Sequence, residues 1–193
     1  QPTRLNGKIK PLLDRKLWSE PSEVVVNQHN SGKPIFPFVV MTAAESHFMV
    51  AEAITKGLAN GDAQGHYQTA IRHAMNLWGV SSADADNYIA TEGMALLNGS
   101  TDQNLEKIAT QRWIALFTNG YEAWSVVRDT GYPTELSAGV TDGDIFVLGD
   151  TNGVYPQRHR YGSGPYNTNG AQVEQANSVQ GPDKQATKLW WAN

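Results

Sequence analysis

From residue 42 to residue 131, apolar side chains return every three or four positions, and capping and stop signals cut that run into short lengths. This period specifies helices and excludes strands, whose side chains alternate with a period of two. The first helix opens at Thr42, with Glu45 three residues on, a capping-box pattern. Ala44, Phe48, Ala51 and Leu58 form one apolar stripe, Val50 and Ile54 lie on another side, and Asn60-Gly61 supplies a left-handed stop. A helix that is apolar on two sides packs between neighbours. The second helix follows Asp62 and buries Tyr67, Ala70, Ile71, Ala74, Met75 and Trp78. A third is expected over 84–97, capped from Ser81 or Ser82. A fourth spans about 102–118, opened by the Ser100/Gln103 capping pair, with Leu105, Ile108, Ala109, Trp113, Leu116 and Phe117 facing inward. The fifth is capped by Asn119 and stops at Gly131, with Pro133 two residues beyond.

These lengths pair as 42–58 with 63–78 and 84–97 with 102–118. Two antiparallel pairs with Ala at their crossings resemble tetratricopeptide units, which stack so that neighbours cover one another. The expected fold is therefore mostly α, with tetratricopeptide-like antiparallel helix pairs and little β. It reads as a single domain over 1–193 with three stretches, 1–41, 42–131 and 132–193. Residues 1–41 carry Pro2, Pro11, Pro21, Pro34 and Pro37, which forbid a long helix and read as an extended segment. Residues 132–193 are rich in Gly, Asn, Thr and Gln, with only Ile145-Phe146-Val147-Leu148 strand-like. Tyr132, Tyr155, Tyr161, Tyr166, Trp190 and Trp191 are embedded there, so the stretch reads as a long irregular wrap, anchored by Trp190-Trp191 in a groove between helices.

Composition narrows the function. The net charge is −4 and no Lys/Arg run exists, which argues against a nucleic-acid partner or an anionic membrane surface. No apolar stretch reaches the length of a membrane span. With no Cys, the chain has no disulfide, thiolate metal site or lipidated Cys. His29, His47, His66, His73 and His159 form no metal-binding motif, although His66 and His73 can share a side of the second helix. Asp142, Asp144 and Asp150 offer oxygens that Ca²⁺ would accept, but they lack EF-hand spacing and its closing Glu, and read as a pair of turns. There is no GxSxG, GxGxxG or P-loop. No cofactor or metal is implied and no enzyme activity is expected.

One string is dense in aromatics: Gln111-Arg112-Trp113-Ile114-Ala115-Leu116-Phe117-Thr118-Asn119-Gly120-Tyr121-Glu122-Ala123-Trp124-Ser125-Val126-Val127-Arg128-Asp129-Thr130-Gly131-Tyr132-Pro133. Physically it is two helices meeting at an Asn-Gly corner, with Trp113, Phe117, Tyr121 and Trp124 packed around it. The string resembles the pattern Q-K-W-I-A-L-F-P-N-G-x-E-A-W-x-D-x-R-R-T-G-Y-P of the SusD/RagB family of surface nutrient-binding lipoproteins. Departures are Arg112 for Lys, Thr118 for Pro, and Val126-Val127-Arg128-Asp129 where the pattern carries more charge. The resemblance continues upstream in Met41-Thr42-Ala43-Ala44-Glu45, Phe48, Ala51-Glu52-Ala53, Tyr67, Ile71, Met75 and Trp78-Gly79-Val80. Downstream it takes in Pro156-Gln157-Arg158-His159-Arg160-Tyr161, Asn167, Asn169, Asp183, Thr187 and Leu189-Trp190-Trp191, so that it covers about 35–193.

That resemblance implies a helical scaffold whose loops hold ligand, with no catalytic activity. It implies glycan or other nutrient capture at the bacterial outer-membrane surface and delivery to a SusC-like TonB-dependent transporter. Family members are much longer, so the chain corresponds to a C-terminal part. The N-terminal part of the same protein would be its partner and would carry the lipid anchor, the one membrane contact expected. Sugar-contacting positions do not carry over, so candidates come from aromatics in loops: Trp18, Tyr155 and Tyr166. Their flat rings can meet the C–H face of a sugar while nearby Asn and Gln satisfy hydroxyls. The alternative is a helical-repeat adaptor that binds a peptide or protein on its concave helical face.

Overall fold

The computed structural model describes residues 39–143 and 148–192. Residues 1–38 of the extended segment expected over 1–41, Trp18 among them, and most of the strand expected at 145–148 lie outside the described residues. Seven α-helices and no strand occur among those described. They are α1 (Ala43–Thr55), α2 (Ala63–Leu77), α3 (Ser82–Thr91), α4 (Thr101–Ala115), α5 (Gly120–Thr130), α6 (Thr134–Ser137) and α7 (Ser163–Gln180).

Local chemistry starts each of the first five helices. The side chains of Thr42, Asp62, Ser81, Ser100 and Asn119 accept from the backbone N–H groups of Glu45, Gly65, Asp84, Gln103 and Glu122. At Ser100 the box is reciprocal, because Gln103 Oε1 accepts from the Ser100 N–H at 2.9 Å. Glu45 instead turns its carboxylate toward Arg112 Nη2 on α4, 3.4 Å away, so the residue that starts α1 also ties it to α4.

α1 packs along α2 and across α4, while α3 lies on α2 and α5 on α4. Phe48, Tyr67, Ile71 and Ile108 are all but solvent-free at the centre, with Ala44, Ala51 and Ala70 letting α1 and α2 approach closely. Phe48 and Tyr67 meet edge to face, with ring centroids 6.0 Å apart. The Tyr67 hydroxyl reaches the carbonyls of Met94 and Lys107, and burial, followed by the neighbouring Tyr88, pushes its pKa well up. A smaller cluster of Ala109, Leu116 and Val126 joins α4 to α5 and is flanked by Trp113, Ala123 and Tyr132.

Two helix ends and one further helix differ from the sequence reading for physical reasons visible in the structure. α1 ends at Thr55 rather than at Asn60-Gly61. Gly57, at φ +73°, takes the left-handed position, and the Gly57 and Leu58 N–H groups bond Ile54 and Ala53 carbonyls in a Schellman arrangement. Leu58 therefore points into solvent rather than joining the apolar stripe. α3 ends at Thr91 rather than at residue 97, because tertiary partners take the next polar groups. Lys107 Nζ donates to Gly93 O, Leu96 O and Asn98 Oδ1, while Gln64 bonds Ala95 O and the Leu97 N–H. The stretch 132–192 also contains an 18-residue helix, α7, that composition concealed. Pro165 falls in its first turn, where no N–H is needed, Asn169 interrupts it at φ −150°, and Gly181 at φ +96° follows its end.

Candidate ligand-binding cleft

The irregular segments around α7 fold back on the α4–α5 corner. Trp124 Nε1 donates to Pro156 O at 2.7 Å, and Arg128 Nη1 donates to Gln157 O at 3.0 Å. The Gln157 and Arg158 N–H groups both donate to Gln185 O, at 2.7 and 3.2 Å. Three segments remote in sequence, 118–124, 156–159 and 185, are thereby held side by side. Between them lies a cleft of about 590 Å³, lined by Thr118, Gly120, Tyr121, Trp124, Pro156, Arg158, His159 and Gln185.

The walls are rings and the rear is ionic. His159 sits against Tyr121 and Trp124, with centroid separations of 5.8 and 5.1 Å. The Arg128 guanidinium lies over both tryptophan rings, 4.4 Å from the Trp124 centroid and 4.8 Å from that of Trp191. Arg158 is buried, pairs through Nη2 with Asp183 Oδ1 at 3.2 Å, and lies over the Tyr161 ring. Asp183 also accepts from the Tyr161 N–H and from the Tyr166 hydroxyl, the latter at 2.8 Å. Arg158 Nη1 is buried and has no hydrogen-bond partner.

Aromatics assigned to packing on spacing alone are thus divided by the structure. Trp113 supports the smaller core cluster, whereas Phe117 and Tyr121 are exposed and Trp124 is half-buried as a wall of the cleft. The terminal tryptophans do not fill a groove: Trp190 is 80% exposed and Trp191 is 45% exposed, held by its stack on Arg128. Tyr155 stands beside Pro156 and is partly buried, which raises its pKa. Tyr166, in the first turn of α7, keeps an exposed ring while its hydroxyl is bound by Asp183. Neither Tyr155 nor Tyr166 is among the residues lining the cleft. The sequence signal for the cleft was the pair Tyr121 and Trp124, three apart on one helical face, plus the Pro156–Tyr161 element.

Elsewhere, α1 and α2 bring three histidines together. His47 Nδ1 and His66 Nδ1 are 2.9 Å apart, and the His47 and His73 rings stack at 5.6 Å. Burial, then the His66 and His73 charges, lower the His47 pKa. No cluster of three or more His, Cys, Asp or Glu among the described residues could hold a metal ion. Asp150 pairs with Arg160 at 3.5 Å, and Asp144 lies outside the described residues.

The fold and motifs define a family. Residues 12–161 match the SusD-like family described as "starch-binding associating with outer membrane", and the chain belongs to that family. Among solved structures it is similar to a Bacteroidetes SusD-like protein (AC2a), at 29% identity and a TM-score of 0.70 over 80% of this chain and 30% of that one. A SusD homologue from Bacteroides uniformis gives 31% identity and a TM-score of 0.68, over 82% of this chain and 38% of the relative. A structure titled chitin-binding protein gives 28% identity and a TM-score of 0.64, over 78% and 32%. The chain thus spans about a third of the length of these relatives. Among curated proteins, none matches it.

Proposed function

We propose that this chain supplies part of a non-catalytic glycan- or nutrient-binding protein of the bacterial outer-membrane surface, and that the cleft at the α4–α5 corner holds a sugar. The observation that carries this reading is the set of rings at the cleft, Tyr121, Trp124 and His159, with hydrogen-bonding Thr118 and Gln185 beside them. Ring faces suit the C–H surface of a pyranose, and a few placed polar groups fix its orientation. Family membership supports it, as does the chitin-binding title of one relative. The longer protein would be lipid-anchored and pass its ligand to a SusC-like TonB-dependent transporter. Trp18, Tyr155 and Tyr166 are proposed as additional contacts, Tyr166 through its exposed ring face.

Titration calorimetry with maltohexaose and chitohexaose tests the reading. Binding by the wild-type chain, lost in Trp124→Ala while that variant still melts cooperatively, supports it. Absence of binding to maltohexaose, chitohexaose and oligogalacturonates alike overturns it. Incubation with the same oligosaccharides is expected to release no reducing ends. Release abolished by one carboxylate substitution would assign a hydrolase instead.

A further inference from the structure

The cleft is lopsided in the kinds of ionisable side chain that line it. Its described lining contains a guanidinium and an imidazole, Arg158 and His159, and no carboxylate. The acidic groups nearby are committed or outside it. Asp183 is taken up by Arg158, the Tyr161 N–H and Tyr166, and Asp150 pairs with Arg160. Glu122 and Asp129 are exposed on α5 and do not line the cleft. Arg128, over the Trp124 and Trp191 rings, has no carboxylate partner among the described residues, its acceptor being the neutral Gln157 carbonyl. Asp183 neutralises Arg158, so the guanidinium left without a carboxylate partner is that of Arg128 beside the cleft, in a chain whose net charge is −4.

A second observation concerns hydrogen bonding. Arg158 is 5% exposed and lines the cleft, and its Nη1 is a buried donor with no acceptor. Such orphaned donors are rare and costly, and an incoming acceptor relieves them. Arg128 Nε, behind the tryptophan wall, is buried and unpartnered as well. A neutral sugar offers hydroxyls that both donate and accept. A carboxylate only accepts, carries the compensating charge, and bonds guanidinium strongly.

We propose that the cleft selects a sugar bearing a carboxylate, a uronic acid residue, with its ring against Trp124 and Tyr121 and its anionic group toward Arg158. This rests on the reading of the cleft as a sugar site, and adds the class of sugar to it.

The test compares two ligands that differ at the carboxyl groups alone: trigalacturonate and its uncharged, fully methyl-esterified form, titrated into the full chain, with maltohexaose and chitohexaose as neutral controls. The acid is expected to bind about tenfold or more tighter than the ester, the size of a charge-assisted bond. That preference should shrink in about 0.5 M salt, where the Debye length is a few ångströms. Arg158→Gln should bring acid and ester to similar affinity. If that variant fails to fold, the wild-type acid-to-ester ratio decides alone. Equal affinity for acid and ester, or binding of the neutral controls only, overturns the inference and leaves the sugar-site reading standing. Binding of none of the four ligands overturns both.

Discussion

The helices before Gly131 and the segments after it are held by different forces. α1, α2 and α4 meet through Phe48, Tyr67, Ile71 and Ile108, a core that needs only shape and exclusion of water. Beyond Gly131, Val173 is the only buried Val, Leu or Ile side chain among the described residues. There the chain is fixed by Trp124 to Pro156, Arg128 to Gln157, and Asp183 to Arg158, Tyr161 and Tyr166. Apolar contacts tolerate small shifts, whereas each of these polar links depends on a particular donor and acceptor. The segments that close the cleft are thus fixed to the helical core by directional links, and polar geometry sets the shape of the cleft.

Damage to the two regions should therefore look different. Phe48→Ala should cost about 3–5 kcal/mol and lower the denaturation midpoint of the whole chain. Asp183→Ala should cost about 3 kcal/mol, since it strands the buried Arg158 charge. Its effect should concentrate in faster amide exchange over 156–192, with α1, α2 and α4 protected as in wild type. Equal acceleration in both regions would show that they unfold as one unit. Trp124→Phe should cost about 1 kcal/mol, the worth of the bond to Pro156 O, and should weaken sugar binding more than it lowers the melting temperature.

The smallest effect is a pH response confined to the first region. Burial and the like charges of His66 and His73 lower the His47 pKa, so the unfolded chain takes up a proton more readily than the folded one. This contribution to stability is complete above the ordinary value of 6.5 and is lost as the pH falls below it through the folded value. Melting temperatures measured from neutral to acid pH should decline, and His47→Gln should flatten part of that decline. An unchanged slope in the variant would separate the histidine cluster from stability.

What the sequence disclosed follows the range of the forces involved. The caps at Thr42, Asp62, Ser81, Ser100 and Asn119 act within three residues and were readable, as were the Phe48, Tyr67 and Ile108 faces. The end of α3 was not, because Lys107 and Gln64, distant in sequence, capture its continuation. α7 is not legible in the sequence because Gln, Asn, Ser and Gly surround Val173 and leave no apolar period. The cleft was half legible. Tyr121 and Trp124 stand out as a pair, yet their encounter with His159 depends on backbone bonds through Gln185 and Pro156 that no local pattern announces.

The crossing of two chain segments at Gly139 and Gly153 has a consequence for how the molecule can vary. The Val140 N–H bonds Gly153 O at 2.8 Å, and a methyl group at Gly139 would strike Gly153 O while one at Gly153 would strike Val140 O. Both glycines also hold positive φ, at +72° and +82°. Neither position has a substitute among the other amino acids. The Val140–Gly153 backbone bond closes the base of the intervening stretch, 141–152, and Asp150 ties it further to Arg160, while lengthening such a loop costs only roughly 0.6 kcal/mol per doubling. Insertions between 141 and 152 should therefore be absorbed without moving Pro156 or the cleft wall. New surface can thus be added beyond this crossing while the cleft stays in place.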